Sequence, residues 1–407
     1  MRILLINHYA GSSKLGMEYR PYYLAKEWVK NGHDVTIIAS SFSHVRSVQP
    51  EVKSNFETQN IDGIKYIWLK TKAYQGNSIK RFFNILEFVF KLFFKSSYIA
   101  KTFKPDVVIA SSTYPLDIYP AYRIAKKAKA KLVYEIHDLW PLSPMEIGGY
   151  SKRHPLIILM QAAEKFCYKK SDLVISILPK TLEHCVSHGL EPTKWHHIPN
   201  GISLERSENQ QEIPIQQKNI LEQIRIAHKY IIGYTGSIGS ANAVKDFILA
   251  AYLLKNENVA FVVIGKGAEK ENLEKLKNEN NLRNVYFIEP VPKKSILKVL
   301  NILDFLFIGL KKQNLFRFGV SPNKLFDYML SGKPIIQAID AGNDIVSEAK
   351  CGFTIEPENP QAIAGAIRKI IALPQNEIIE MGKNGKDYVI QNHDYKIIAN
   401  KFLEIIK

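Results

Sequence analysis

The chain has 407 residues, too many for one ordinary hydrophobic core, and two α/β domains of about 200 residues each are the natural division. Apolar residues make up 46% and charged residues 23%, the balance of a soluble globular protein; the net charge of +16 directs attention to anionic partners. Nucleic acid is set aside because no zinc finger, RNP motif or basic helix-turn-helix is present, and the odd number of cysteines (Cys167, Cys185, Cys351), without metal-type spacing, argues against a disulfide framework and fits a reducing compartment.

The opening MRILLINHY reads as one buried strand, Ile3–Ile6, ending at Asn7-His8; it is too short for a secretory apolar region. A loop with Gly16 follows, then a helix from about Glu18 to Lys30 stopped by Asn31-Gly32, and a strand over 33–39. Strands are predicted at 107–110, 131–135 and 173–176, each flanked by helix, which implies a parallel sheet covered on both faces. Pro199-Asn200-Gly201 breaks the pattern, and residues 204–229, polar and Gln-rich, read as a linker or surface excursion. A second series follows with strands at 231–234, 260–264, 285–288, 305–309 and 334–337, then helices at 361–371, about 377–389 and 395–406. Two doubly wound domains facing a central cleft are therefore expected: 1–200, with the C-terminal helix at about 393–407 packing back on it, and 201–392. Ligands of such sheets sit at the carboxyl ends of the strands.

The most informative stretch is Phe318 to Ile336. A loop with Gly319 leads to Ser321-Pro322, the residue types of an N-cap and first helical position. The helix start is a ready anion site, with Lys324 in its first turn. Asp327, one turn further, suits a pair of vicinal hydroxyls. The same residues also suit a capped helix with a charged solvent face.

This stretch resembles the donor-binding signature of family 4 glycosyltransferases, which have the GT-B fold. Gly332-Lys333-Pro334-Ile335-Ile336 matches the tail of that motif, and Asp327 stands at its second acidic position. Its first acidic position falls on Gly319, so that carboxylate is missing. The resemblance extends to Tyr234–Gly239 as the phosphate loop, although the loop's usual Arg and Lys are replaced by Ser237 and Ala243. It extends further to Val263–Gly267 as a strand with its Gly-x-Gly turn, and to Val285–Pro292 as the strand whose following backbone holds the base. It implies donor contacts at Gly236, Ser237, Gly265, Val291, Gly319, Val320, Ser321, Lys324, Leu325 and Asp327. It also implies that His137, at a strand end, lies beside the reacting sugar, with Asp138 next to it; imidazole suits proton transfer near neutral pH. A structural histidine beside a turn-forming aspartate is the alternative. His8, Gly16, Glu18 and Arg20 form a candidate acceptor patch.

Within the family, the stretches around Gly16–Ala25, Ser111–Asp117 and His137–Pro141 look most like transferases of bacterial O-antigen and capsule synthesis, and among them the N-acetyl-L-fucosaminyltransferases. The resemblance implies a retaining, metal-independent enzyme without a cofactor. It would take a UDP-sugar as donor and an undecaprenyl-diphosphate-linked saccharide as acceptor. A UDP-sugar epimerase of the same fold, or a non-catalytic nucleotide-sugar-binding subunit, would share these features.

No run approaches the roughly 18 apolar residues of a membrane-spanning helix. Residues 79–95 carry Phe82, Phe83, Phe90, Phe93 and Phe94 among Lys91, Lys95 and other cations. Polar residues recur at 80, 84, 87, 91 and 95, and between 79 and 104 six basic residues accompany one acid. An interfacial helix on an anionic membrane surface has this composition, as does a core helix with a narrow solvent stripe. The first alternative would make the protein cytoplasmic and peripheral on the inner face of the cytoplasmic membrane.

Overall fold

The computed structural model describes residues 1–16, 19–76, 78–205 and 210–407. The chain divides into two compact units, one of Met1–Asn200 with Tyr395–Lys407 and one of Gly201–Asp394.

The N-terminal unit is built on β1 (Arg2–Ile6), β2 (Asp34–Ser40), β3 (Glu57–Ile61), β4 (Ile64–Leu69), β5 (Val107–Ala110), β6 (Lys131–Ile136), β7 (Leu173–Ser176) and β8 (Trp195–His197). They form one sheet in the order β3-β4-β2-β1-β5-β6-β7-β8, parallel except for the β3–β4 hairpin at the edge. The hairpin turns through Asp62 and Gly63, both with positive φ, the backbone of a type I′ turn. Strand order reverses between β1 and β5, the place where doubly wound sheets open a ligand crevice. Apolar strands bury both faces, and Trp28 of the helix Tyr19–Lys30 anchors the returning C-terminal helix. Its indole N–H donates to the Ala399 carbonyl (3.1 Å) and its ring meets Phe402 edge-on.

The C-terminal unit holds β9 (Tyr230–Thr235), β10 (Val259–Ile264), β11 (Val285–Ile288), β12 (Phe305–Gly309), β13 (Ile335–Ala338) and β14 (Gly352–Ile355). All six are parallel, in the order β11-β10-β9-β12-β13-β14. Numbered within the unit this is 3-2-1-4-5-6, the dinucleotide-fold order, with its switch point between β9 and β12. The stretch expected to be a linker is corrected here. Residues Ile215–Ala227 form a helix whose Leu221 and Ile224 enter the core beneath β9. Apolar residues at 220, 221 and 224 give that helix one buried stripe despite its glutamines.

Candidate functional site

The loops after β9, β10 and β11, with the helix Asn323–Leu330, enclose a cavity of about 620 Å³. Its lining includes Thr235–Ser237, Ile264–Gly267, Pro290, Val291, Lys293, Ile296, Lys324 and Asp327. Glycine is required where two of these loops meet. Gly236 has φ +137°, and a Cβ on Gly265 would lie 1.8 Å from the Gly236 carbonyl oxygen. Backbone bonds from Gly236 N to Ile264 O (2.9 Å) and from Ile238 N to Lys266 O (2.9 Å) zip the loops together. The result is a narrow backbone bed on which phosphate oxygens can approach closely.

Three lysines supply the cavity's positive charge: Lys266, Lys293 and Lys324. Lys324 Nζ donates to Tyr234 Oη (2.7 Å) and Asn242 Oδ1 (3.1 Å), and lies 4.2 Å from the centre of the Tyr234 ring. Burial, and then the neighbouring Lys293, bring its ammonium down to about 7. Lys293 forms an ion pair with the buried Asp327. The helix begins at Asn323, one residue later than expected. Its cap residue is Pro322, with extended φ and ψ of −73° and 122°, and no side chain caps the helix. The reason is local: proline's fixed φ suits an extended cap as well as a first helical turn.

Six of the ten expected donor residues line this cavity: Gly236, Ser237, Gly265, Val291, Lys324 and Asp327. Leu325 belongs to the core, because its place in the first helical turn faces the sheet. Gly319, Val320 and Ser321 lie outside the cavity lining. Their loop is pinned by Asn343, whose Oδ1 accepts from Val320 N (2.8 Å) and whose Nδ2 donates to Val320 O (3.1 Å). Gly319 takes φ +102°, a conformation that excludes most side chains. Sequence reading missed Lys266 and Lys293, although each follows a predicted strand by a few residues.

In the N-terminal unit a polar cluster sits at the carboxyl ends of β1, β5 and β6. Glu135 is its centre. Arg20 donates to Glu135 Oε1 through Nε (3.0 Å) and Nη2 (2.9 Å) and also grips the carbonyls of Ile198 and Pro199. Ser111 Oγ donates to Glu135 Oε2 (2.5 Å), and His137 Nε2 lies 3.1 Å from the same oxygen and 2.9 Å from Ser111 Oγ. Burial alone would raise the Glu135 carboxyl, but Arg20, with His137 and Ser111, outweighs it and holds the group well below the usual carboxylate range. His137 is thereby oriented by a carboxylate, an arrangement that can hold or move a proton.

The other residues expected here behave differently. The Asp138 carboxylate accepts from Leu139 N (2.9 Å), Ser143 Oγ (2.5 Å) and the Trp140 indole (3.3 Å). It builds the turn into the helix Leu142–Glu146, and the catalytic expectation for it is withdrawn. His8 is fully buried, its ring tilted against those of Tyr9 and Phe88, with Nδ1 2.6 Å from Tyr114 Oη. Burial pushes its imidazole down to about 3, so it is a neutral core group rather than an acceptor contact. Gly16 serves a turn with φ +74°, against Ser47. Arg20 is spent on Glu135, and Glu18 lies outside the described residues.

The comparisons with known proteins follow this division. The family described as Glycosyltransferase Family 4 matches residues 16–206, and the one described as Glycosyl transferases group 1 matches residues 216–393. The chain belongs to the glycosyltransferases of family 4. WcaI of Escherichia coli (strain K12), described as a glycosyl transferase of colanic acid biosynthesis, is 23% identical over 393 residues, 94% of each chain. Sucrose-phosphate synthase from Thermosynechococcus elongatus superposes with a TM-score of 0.73 at 17% identity, covering 100% of this chain and 98% of its own. Anabaena Alr3699/HepE, solved in complex with UDP, gives 0.69 at 14% identity and 99% coverage of both. The fold of the transferase is therefore GT-B.

One further surface of the transferase stands apart. Among the described residues no helix is long and apolar enough to cross a membrane. The helix Ile79–Phe103 nevertheless turns Ile79, Phe83, Phe90, Phe94 and Tyr98 outward, with Phe94 76% exposed. The middle of the polar stripe is oriented against expectation: Asn84, Glu87 and Lys91 face protein, whereas Lys80 and Lys95 at its ends are exposed. Asn84 is buried, donating to Thr71 Oγ1 (2.9 Å) and Lys72 O (2.6 Å). Lys91 bridges Glu87 (2.6 Å) and the Lys70 carbonyl (2.5 Å), because the loop at 70–72 offers backbone groups that only polar side chains satisfy. Phe82 and Phe93 are half-buried, and Arg123 lies over the Phe93 ring (4.6 Å). Lys80, Lys95, Lys101 and Lys104 remain exposed around the aromatic stripe.

Proposed function

We propose that this transferase is a retaining, metal-independent enzyme that moves a sugar, an N-acetylated 6-deoxyhexosamine, from a UDP-sugar to a lipid-linked saccharide in surface polysaccharide synthesis. The observation that carries the reading is the cavity after β9–β11. A backbone bed of glycines, three lysines and one buried carboxylate suit a nucleoside diphosphate. A relative assigned to colanic acid biosynthesis and a structural neighbour that holds UDP point the same way. In this reading the backbone around Val291 meets the base, and Asp327 accepts bonds from the ribose hydroxyls. Lys324 and the Gly236–Gly265 bed take the diphosphate. Catalysis is then chiefly positioning and stabilisation of the departing diphosphate, which also draws the proton from the acceptor hydroxyl on the same face. His137, held by Glu135 and Ser111, is the proton-handling residue of the N-terminal unit. The outward aromatics of the helix Ile79–Phe103, ringed by lysines, rest on the anionic inner face of the cytoplasmic membrane, where the acceptor resides.

A thermal-shift series with UDP, GDP and ADP and their sugars tests this. A nucleotide at 100 times its Kd adds about 2.7 kcal/mol to stability. UDP is expected to raise the melting temperature in the wild type and to do so far less in Asp327→Ala. A preference for another nucleotide, or an equal shift in Asp327→Ala, would overturn the assignment. Incubation with the UDP-sugar alone separates transfer from epimerisation, because an epimer should not form.

A further inference from the structure

We propose that Glu164, His184 and His188 form a binding site for a divalent transition-metal cation of the zinc type, built from residues that take no part in the proposed transfer. Glu164 lies on the helix Pro155–Lys170; His184 and His188 lie one turn apart on the helix Leu182–Ser187 and its C-cap. One ligand atom from each of the three lies within 4.8 Å of the others. The i, i+4 spacing puts both imidazoles on one helix face, with ring centres 4.3 Å apart.

The electrostatics point to a cation. Glu164 is 1% exposed. Its carboxylate accepts from Tyr168 Oη (3.0 Å) and His184 Nε2 (2.7 Å) at Oε1 and from Gln161 Nε2 (2.5 Å) at Oε2. Tyrosine and glutamine bring no positive charge, and His184 brings one only when protonated; a metal ion that displaces the Nε2 proton supplies the charge that a buried carboxylate needs. His184 is nearly buried beside Glu164, its side chain 9% exposed, and the partly exposed His188 completes the arrangement on the solvent side, where an ion would enter.

The bonds made by His188 also set its tautomer. Nδ1 lies 2.8 Å from the His184 carbonyl oxygen and 3.0 Å from Ser187 Oγ. A carbonyl only accepts, so Nδ1 carries the proton and Nε2 keeps its lone pair for a metal. Metal-bound histidines are oriented in this way by their outer partners. Zinc bonds of about 2.0–2.1 Å to nitrogen and oxygen place tetrahedral ligand atoms roughly 3.3 Å apart. His184 and Glu164 therefore need to part by only some tenths of an ångström. Two histidines and a carboxylate leave the fourth position to water. The ion would clamp the two helices that follow β6 and β7.

The untagged full chain, stripped with a chelator, is titrated with Co2+ and followed by visible ligand-field absorption, then challenged with Zn2+. One equivalent of Co2+ should develop the band, Zn2+ should displace it, and Zn2+ should raise the melting temperature. His184→Ala and His188→Ala should each lose the band, with affinity weakened by more than the roughly 10–100-fold that follows loss of an outer partner. His188 is half-exposed, so that variant keeps the fold, checked by circular dichroism. His228→Ala, in the other unit, should keep the band. No band in the wild type, or an undiminished band in both histidine variants, would overturn the proposal.

Discussion

Lys324 gives the cavity proposed to hold the donor a measurable proton signature. Its ammonium is brought down to about 7, first by burial and then by Lys293, so above neutral pH most of the ligand-free protein carries a neutral amine there. A diphosphate placed beside it restores the charged form, and binding must take up a proton. If the complex returns the group to roughly its ordinary 10.4, apparent UDP affinity falls about 50-fold between pH 7 and pH 9, at close to 1.4 kcal/mol per pH unit in the steep region. Isothermal titration calorimetry at pH 8.5, in buffers of different ionisation enthalpy, should return close to one proton taken up per UDP. Lys324→Arg is the control, since a guanidinium stays charged throughout. Its affinity at pH 7 reports any loss of geometry, and its pH profile should be flat. A wild-type affinity that changes less than about twofold between pH 7 and 9 would refute the reasoning. So would an arginine variant that keeps the wild-type slope.

His137→Ala should fold normally and lose roughly 100-fold or more in turnover, the range of a positioned proton-transfer group; steady-state kinetics beside a circular dichroism spectrum check it. Arg20→Met takes the guanidinium from the buried Glu135 carboxylate, leaving His137 and Ser111 beside it, and should cost about 3–5 kcal/mol in urea unfolding, part of which Glu135→Gln in the same chain should restore. Because the folded Glu135 carboxyl lies below its unfolded value, its contribution is present above the unfolded pKa and is lost as pH falls through the acid range towards the folded value. Phe83→Ser, Phe90→Ser and Phe94→Ser together should reduce co-sedimentation with anionic liposomes while leaving the melting temperature near that of the wild type, since all three rings are exposed. Unchanged sedimentation would remove the helix from membrane contact.

Much of the fold was legible because buried parallel strands announce themselves. Val107–Ala110, Leu173–Ser176, Val285–Ile288 and Phe305–Gly309 are continuous apolar runs, and each forms the strand expected at those residues. The hairpin Glu57–Leu69 was missed because its outer strand, Glu57–Ile61, is polar and half-solvated. Only Asp62-Gly63 marked the turn. The helix Ile215–Ala227 was misjudged because composition outweighed spacing: a few apolar residues on one face suffice to dock a helix that is otherwise glutamine and charge.

The site was harder to read, for a reason visible in its lysines. A motif records residues close in sequence, whereas the cavity gathers cations from two different loops and a helix. Lys266 follows β10, Lys293 follows β11 and Lys324 opens the helix after β12. The loop after β9 lacks the Arg and Lys that the family resemblance leads one to expect, and a sequence reading of that loop alone sees a deficit of charge. Electrostatics acts through space, so a cation reaching the same cavity from a neighbouring strand end offsets that deficit. The reverse error occurred at His8 and Asp138, polar residues at the right strand ends: His8 is buried in the core with Nδ1 on Tyr114, and Asp138 is bonded within the Leu139–Ser143 turn. What separates His137 from them is its partner: Glu135, two residues earlier near the end of β6, places its carboxylate within reach because residues two apart in extended chain share a face. That i, i+2 pair was present in the sequence, and with Arg20 on Glu135 it is the feature on which an N-terminal catalytic role for this transferase rests.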